Sequence, residues 1–214
     1  MFNFYLAYFS AFMLLVPLLI GLVRINFLCN NYFLIFILVL ISMITELISF
    51  MIVKYLNISN ILLYNTHTLF EISLISAFYY KFLDKKKIKS IILIICSLFV
   101  IFLIFELAVQ SKNIMNEVPL TFESTYIIIL TFLTFHQVLQ KQVYKNIIDD
   151  PIFWFNSAFL IYFSGNLFIH LFSNFLHEFA QKAFYEIWGV HSVLNIILYT
   201  LISIGFWKTK PSQI

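Results

Sequence analysis

An all-α integral membrane protein, a bundle of seven transmembrane helices, is the fold class this chain predicts, and three observations predict it. Of 214 residues, 62% are hydrophobic and 11% charged, and that charged share is under half the roughly 25% of a soluble globular domain. Apolar stretches recur at residues 4–23, 32–53, 60–82, 88–109, 119–140, 152–175 and 186–207, and each is near the roughly 20 residues that cross a bilayer core about 30 Å thick. Helix-start chemistry supports two of the boundaries. Pro119 and Pro151 stand where a first-turn proline is tolerated, and Asp149 and Asp150 precede the second as capping carboxylates. Spans and short connections use nearly all of residues 1–214, so a single seven-helix domain without a soluble part is expected.

The first stretch lacks a basic leader and an A-x-A cleavage pattern, and Arg24 follows it, so it is expected to be a retained helix. Pro17 predicts a kink within it. Orientation follows from the excess of Lys and Arg in cytoplasmic loops. One side holds Arg24, Lys81, Lys85, Lys86, Lys87, Lys89, Lys141, Lys145, Lys208 and Lys210, whereas the other holds Lys54, Lys112 and Lys182. That asymmetry predicts an N-terminus outside and a C-terminus in the cytoplasm. The positive charge gathers at a membrane edge, unlike the broad basic face of a nucleic-acid binder. Lys85, Lys86 and Lys87 would meet anionic lipid headgroups. Cys29 and Cys96 suggest neither a disulfide framework nor a metal knuckle. Trp154, Trp188 and Trp207 lie near span ends, as aromatic-belt residues do.

Function must be sought in the polar residues within the spans. An ionisable group at the centre of a membrane helix costs about 2.5–3.5 kcal/mol, so it usually faces a protein interior, a cavity or a partner. Here Glu46 lies in span 2, His67 and Glu71 in span 3, Glu106 in span 4, Glu123 in span 5, His170 in span 6 and His191 in span 7. With alternating helix directions, all map to the outer half or midplane, at depths of roughly 5–16 Å from the outer edge. His136, with Gln137 and Gln140, lies toward the cytoplasmic end as an interfacial cap. Residues four apart share a helix face. His67 precedes Glu71 by four, His170 stands between Asn166 and Asn174, and His191 precedes Asn195. The stripes extend through Tyr162 in span 6 and through Tyr199 and Ser203 in span 7.

Two readings follow. In one, these groups form interhelical hydrogen bonds, worth about 0.6 kcal/mol each, that fix packing. In the other, Glu46, His67, Glu71, Glu123, Tyr126, Asn166, His170, His191 and Asn195 line a polar pocket in the outer half. Glu46, Glu71 and Glu123 are then expected to be protonated or paired with histidine. Ser164, Gly165 and Asn166 interrupt an aromatic run and would permit close helix approach or a kink.

From Asn65 to Tyr80, with Glu71 and a later aromatic pair, and from Asp150 through Ser164-Gly165-Asn166 to Trp188, His191 and Asn195, the chain resembles uncharacterised seven-helix membrane proteins of Bacteroidota-type bacteria. The resemblance implies a fold, a topology and a sensor-like role, in a bacterial inner (cytoplasmic) membrane. Two other groups fit poorly. Retinal proteins need a lysine in the last helix, and none lies between Trp188 and Trp207, so no retinal is expected. Alkaline ceramidase-like hydrolases place a His-x-x-x-His pair at zinc, and here His191 is followed by Asn195.

The leading expectation is a receptor or sensory protein that binds a small or lipidic ligand and signals to a cytoplasmic or membrane partner, with no cofactor. The alternative is an intramembrane zinc lipid hydrolase with His67, His170, His191 and Glu71 at the metal, in three-ligand-plus-water logic. A small transporter or a structural subunit of a membrane complex completes the set. Against a transporter stand the odd helix count and the lack of paired Gly/Pro breaks.

Overall fold

The computed structural model describes the backbone of residues 2–28, 31–109, 117–141, 146–179 and 181–210, and the side chains of these except 2–4, 109, 173–179 and 181–185. Cys29, Lys112 and Lys145 therefore lie outside the described residues, as do the side chains of Asn174 and Lys182. Eight α-helices are present among the described residues: α1 (Phe2–Met13), α2 (Leu15–Val23), α3 (Tyr32–Met51), α4 (Ile61–Phe82), α5 (Lys86–Val109), α6 (Glu117–Lys141), α7 (Pro151–Phe179) and α8 (Gln181–Lys208). Taken end to end, α1 and α2 make one span. Seven helices are then long and apolar enough to cross a membrane, and the chain is a multi-pass membrane protein. Only helices and closed barrels satisfy every backbone group in lipid.

The break between α1 and α2 at Leu14 has a local cause. Pro17 has no N–H to give to the carbonyl four residues earlier, at Met13, so the ladder is interrupted there. Leu14 closes a tighter turn instead, its N–H donating to Ala11 O at 3.3 Å. At the end of α3 a π-helical turn covers Ile52–Leu56, and Asn57, at φ 51°, ends it in the left-handed region that asparagine tolerates. At the start of α7, Asp150 Oδ1 accepts from Ile152 N at 3.0 Å, ahead of the first-turn Pro151. Asp149 does not cap. It pairs with Lys208 Nζ at 2.9 Å, because it belongs to a short 3-10 turn, Ile147–Asp149, that directs it away from the helix end.

The chain divides into two compact units, residues 1–29 with 117–214, and residues 30–116. In the first, α7 packs on α8 and on α6, and α1 and α2 lie against α8. Its core holds Leu14, Phe155, Phe159, Ile202 and Phe206. Gly205 lets α8 approach Phe155 so closely that an added Cβ would stand 2.6 Å from Cε1 of that ring. Gly165 admits Leu194 in the same way, giving the close approach expected of the Ser164-Gly165-Asn166 stretch. Arg24 closes one end of this unit: its Nη2 donates to Trp207 O at 2.6 Å. Its guanidinium lies 4.9 Å from the Trp207 ring and 5.1 Å from that of Phe27. The arrangement satisfies a carbonyl that the end of α8 leaves without a helical partner, and sets a cation at the negative end of the dipole.

In the second unit α4 packs on both α3 and α5, around Ile35, Phe36, Leu38, Val39, Ile72, Ile75, Phe78 and Phe99. Both units expose large apolar side chains such as Leu19, Phe50, Leu98, Phe132 and Phe168. Such surface is a liability in water, whereas in a bilayer it is the lipid contact.

Candidate functional site

The expected site residues are distributed over both units: Glu46, His67 and Glu71 in the second, and Glu123, Tyr126, Asn166, His170, His191 and Asn195 in the first. Each group has its own geometry.

In the first unit the helix registers place the polar groups at one end. Counted from Lys141, Pro151 and Lys208, the ends of α6, α7 and α8 that meet, Glu123, Asn166, His170, His191 and Asn195 lie roughly 20–28 Å along their helices. Glu123 and Tyr126 are buried on α6, and Asn166 is buried on α7. His170, His191 and Asn195 are half-buried. By spacing, His170 is paired with Asn166 and Asn174, and His191 with Asn195, one turn along the same helix, but His191 bonds across helices. Its Nδ1 is 2.6 Å from Asn166 Oδ1, and the amide of Asn166 turns its Nδ2 back to Tyr162 O at 3.0 Å. The interhelical bond wins because the close approach at Gly165 brings α8 within reach of the neighbouring Asn166. Two rings wall the imidazole, Trp188 edge-on at 5.4 Å and Tyr162 tilted at 6.1 Å. His170 is near enough to act on His191 electrostatically.

A second polar lock in this unit carries no chemistry: buried Asn156 donates from Nδ2 to Thr131 O at 2.9 Å, tying α7 to α6. Nothing in the sequence marks it, because an asparagine in an apolar run announces no partner.

In the second unit, α3 and α4 face each other along a polar seam. His67 and Glu71 are joined as their spacing predicts, with Nδ1 and Oε2 3.6 Å apart, within ion-pair reach though longer than a direct hydrogen bond. The other ring nitrogen, Nε2, is 3.0 Å from Ser42 Oγ on α3. Nearer the Asn60 end of α4, Asn60 Nδ2 donates to Ser49 Oγ at 2.6 Å, Ser49 Oγ to Tyr64 OH at 3.3 Å, and Tyr64 OH to Glu46 Oε1 at 3.4 Å. Glu46 in turn feels the His67 imidazole electrostatically. Ser42, Ser49, Asn60 and Tyr64 are not among the residues expected from the sequence. Their signal is spacing: Ser42, Glu46 and Ser49 share one face of α3, and Asn60, Tyr64, His67 and Glu71 share one face of α4.

Ser42, His67 and Glu71 stand in the order of a nucleophile, base and orienting acid. Ser42, however, lies within a regular helix and its hydroxyl donates to Leu38 O at 2.9 Å. The neighbouring backbone amides belong to that helix, so none is available to stabilise an oxyanion. The arrangement does not support acyl transfer. Within neither unit do the described residues bring together three or more His, Cys, Asp or Glu side chains able to hold a metal. The zinc alternative takes His67 and Glu71 from one unit and His170 and His191 from the other. Comparison with family models, curated proteins and solved structures gives no match.

Proposed function

We propose that the protein is a seven-helix receptor or sensory protein of a bacterial inner membrane, with its N-terminus outside and its C-terminus in the cytoplasm. Its ligand is a small or lipidic molecule carrying a hydrogen-bonding head. The observation that carries this reading is the Asn166–His191 pair between α7 and α8, walled by Trp188 and Tyr162. A half-buried imidazole flanked by aromatic faces suits an apolar molecule with one polar group, since ligand sites join apolar walls to a few placed polar atoms. The same two helices run to the basic end that holds Arg24, Asp149 and Lys208. A shift of α8 against α7 would therefore be transmitted to the cytoplasmic edge, where a partner would read it.

Trp188 offers a direct test. With Trp154→Phe and Trp207→Phe as background, Trp188 fluorescence is followed while short-chain fatty acids or short-chain phospholipids are added below their micellar concentrations. A saturable change, lost in His191→Phe and kept in His136→Ala, is expected. No saturable change with either lipid class, or an equal change in His191→Phe, would remove the basis for the reading.

A further inference from the structure

We propose that His67 and Glu71 form a proton-binding site at mid-depth of α4 that exchanges protons with one membrane face through Glu46, Tyr64 and Ser49. It is independent of ligand binding at His191 and concerns only the second unit.

Depth comes first. Glu71 is ten residues from Ile61 and eleven from Phe82, the ends of its span, so it lies roughly 15 Å in, near the middle of a bilayer core about 30 Å thick. The hydrogen bonds next define what the pair holds. Ser42 Oγ donates to Leu38 O, so the bond between Ser42 and His67 is made by Nε2–H of His67 donating to the serine oxygen. A neutral imidazole with its proton on Nε2 presents a lone pair at Nδ1, the nitrogen facing Glu71. Between Nδ1 and Oε2 there is then place for one proton, held either as a carboxylic acid beside a neutral ring or as a carboxylate beside an imidazolium. Both forms are neutral overall, which suits a site far from water.

The route is built from groups that accept and donate in one direction. Ser49 accepts from Asn60 and donates to Tyr64, and Tyr64 accepts from Ser49 and donates to Glu46. Such chains polarise one another. A proton entering at the Asn60 end protonates one hydroxyl while that hydroxyl passes its own proton onward. One proton arrives at Glu46, no charge is left behind, and the hydroxyls return by rotation. Glu46 then gives its proton to Nδ1 of the neighbouring His67, the ring nitrogen that carries a lone pair, and this is the proton held between Nδ1 and Glu71, while Nε2 keeps its own proton on Ser42. Asn60 precedes the first residue of α4 and Tyr64 stands in its first turn, so the route opens at that end of the span. Toward the opposite end, α3 continues as buried Leu38, Val39, Phe36 and Ile35, and α4 as buried Ile72, Ile75 and Phe78. Beyond Glu71 on α4, Ser73 turns its hydroxyl back to Leu69 O at 2.6 Å, and the next polar groups, Ser76 and Tyr79, come more than one turn away.

The titratable groups around the pair are few. Besides Tyr64, Tyr79, Tyr80 and Lys81 on its own helix, α3 contributes Glu46 and, at its far end, Tyr32, and the π-helical turn that follows it contributes Lys54 and Tyr55 at the Asn60 end. By the register of the α4–α5 hairpin, Cys96 lies level with Glu71, Glu106 lies level with the Asn60 end, and Lys86, Lys87 and Lys89 lie at the far end.

Infrared difference spectroscopy of the full chain tests the assignment, in proteoliposomes selected for one orientation through a C-terminal affinity tag. The wild type should show a protonated-carboxyl band that is absent in Glu71→Gln and that follows a pH jump applied on the Asn60 side. Tyr64→Phe, which keeps the ring and removes the relay hydroxyl, should slow that response about tenfold, equivalent to one factor of ten in rate, and leave its midpoint in place. A band that persists in Glu71→Gln, a response equally fast from both sides, or wild-type kinetics in Tyr64→Phe would each overturn the proposal. Because Tyr64→Phe preserves packing, its kinetics decide even if Glu71→Gln fails to assemble. Loss of fluorescence-detected lipid binding at Trp188 has no bearing on this band, so the two readings fail separately.

Discussion

Replacing Gly205 by alanine should destabilise the first unit, although alanine is the better helix former. The added Cβ would stand 2.6 Å from Cε1, 2.8 Å from Cζ and 2.9 Å from Cδ1 of Phe155, whereas carbon atoms in contact prefer about 3.5–4.0 Å. The ring must retreat by about 1 Å. It has nowhere to go, being fully buried and packed edge-on against Phe206 with centroids 5.3 Å apart. Overpacking of this kind costs about 1–3 kcal/mol, and the helix-propensity gain of Gly→Ala offsets about 1 kcal/mol of it. A net loss of about 1 kcal/mol is expected. Equilibrium unfolding by sodium dodecyl sulfate in bicelles, followed by tryptophan fluorescence, measures it. Phe155→Leu in the Gly205→Ala background should recover part of the loss, because the smaller side chain vacates the contested volume. Gly165→Ala is the internal control: its Cβ meets the methyl tips and Cγ of Leu194, a flexible side chain that can rotate aside. It should cost less than Gly205→Ala. Unchanged or raised stability in Gly205→Ala, or a larger loss at Gly165, would refute the packing argument.

Membrane-impermeant labelling of single introduced cysteines should reach Lys54→Cys from outside and leave Lys85→Cys unlabelled; the reverse pattern would invert the orientation and the side from which the Glu71 site is reached. Lys208, hydrogen-bonded to Asp149 at 2.9 Å, holds that carboxyl below its ordinary range. Its small contribution is therefore present above the ordinary carboxylate pKa and lost as the pH falls through the lowered one. Asp149→Asn should be slightly less stable than wild type at neutral pH, with the gap closing in acid; a gap that widens in acid would contradict the assignment. Metal analysis of protein purified without chelators should find no stoichiometric zinc, and zinc bound in wild type but absent from both His170→Ala and His191→Ala would move the hydrolase ahead of the receptor.

What could be read from the sequence divides along a physical line. The seven spans were legible because hydropathy belongs to each stretch alone, and so was the break in the first span, since the missing N–H of Pro17 acts only on its own helix. The His67–Glu71 contact was legible for the same reason: residues four apart on one helix are neighbours whatever surrounds them. Asp149 was misassigned as a cap, because its partner, Lys208, is far away in the chain. His191 is the more instructive case. Its spacing to Asn195 permits a bond along α8, yet the imidazole reaches Asn166 on α7, and the reason is the absence of a Cβ at Gly165. The seam of Ser42, Ser49, Asn60 and Tyr64 was hidden differently. Hydroxyls and amides are inexpensive enough in a membrane helix to be passed over singly, and only the facing of two stripes across α3 and α4 makes each a donor to the next. Spacing within one helix finds the residues that share a face, and the proton route exists because a second helix with the complementary spacing packs against it.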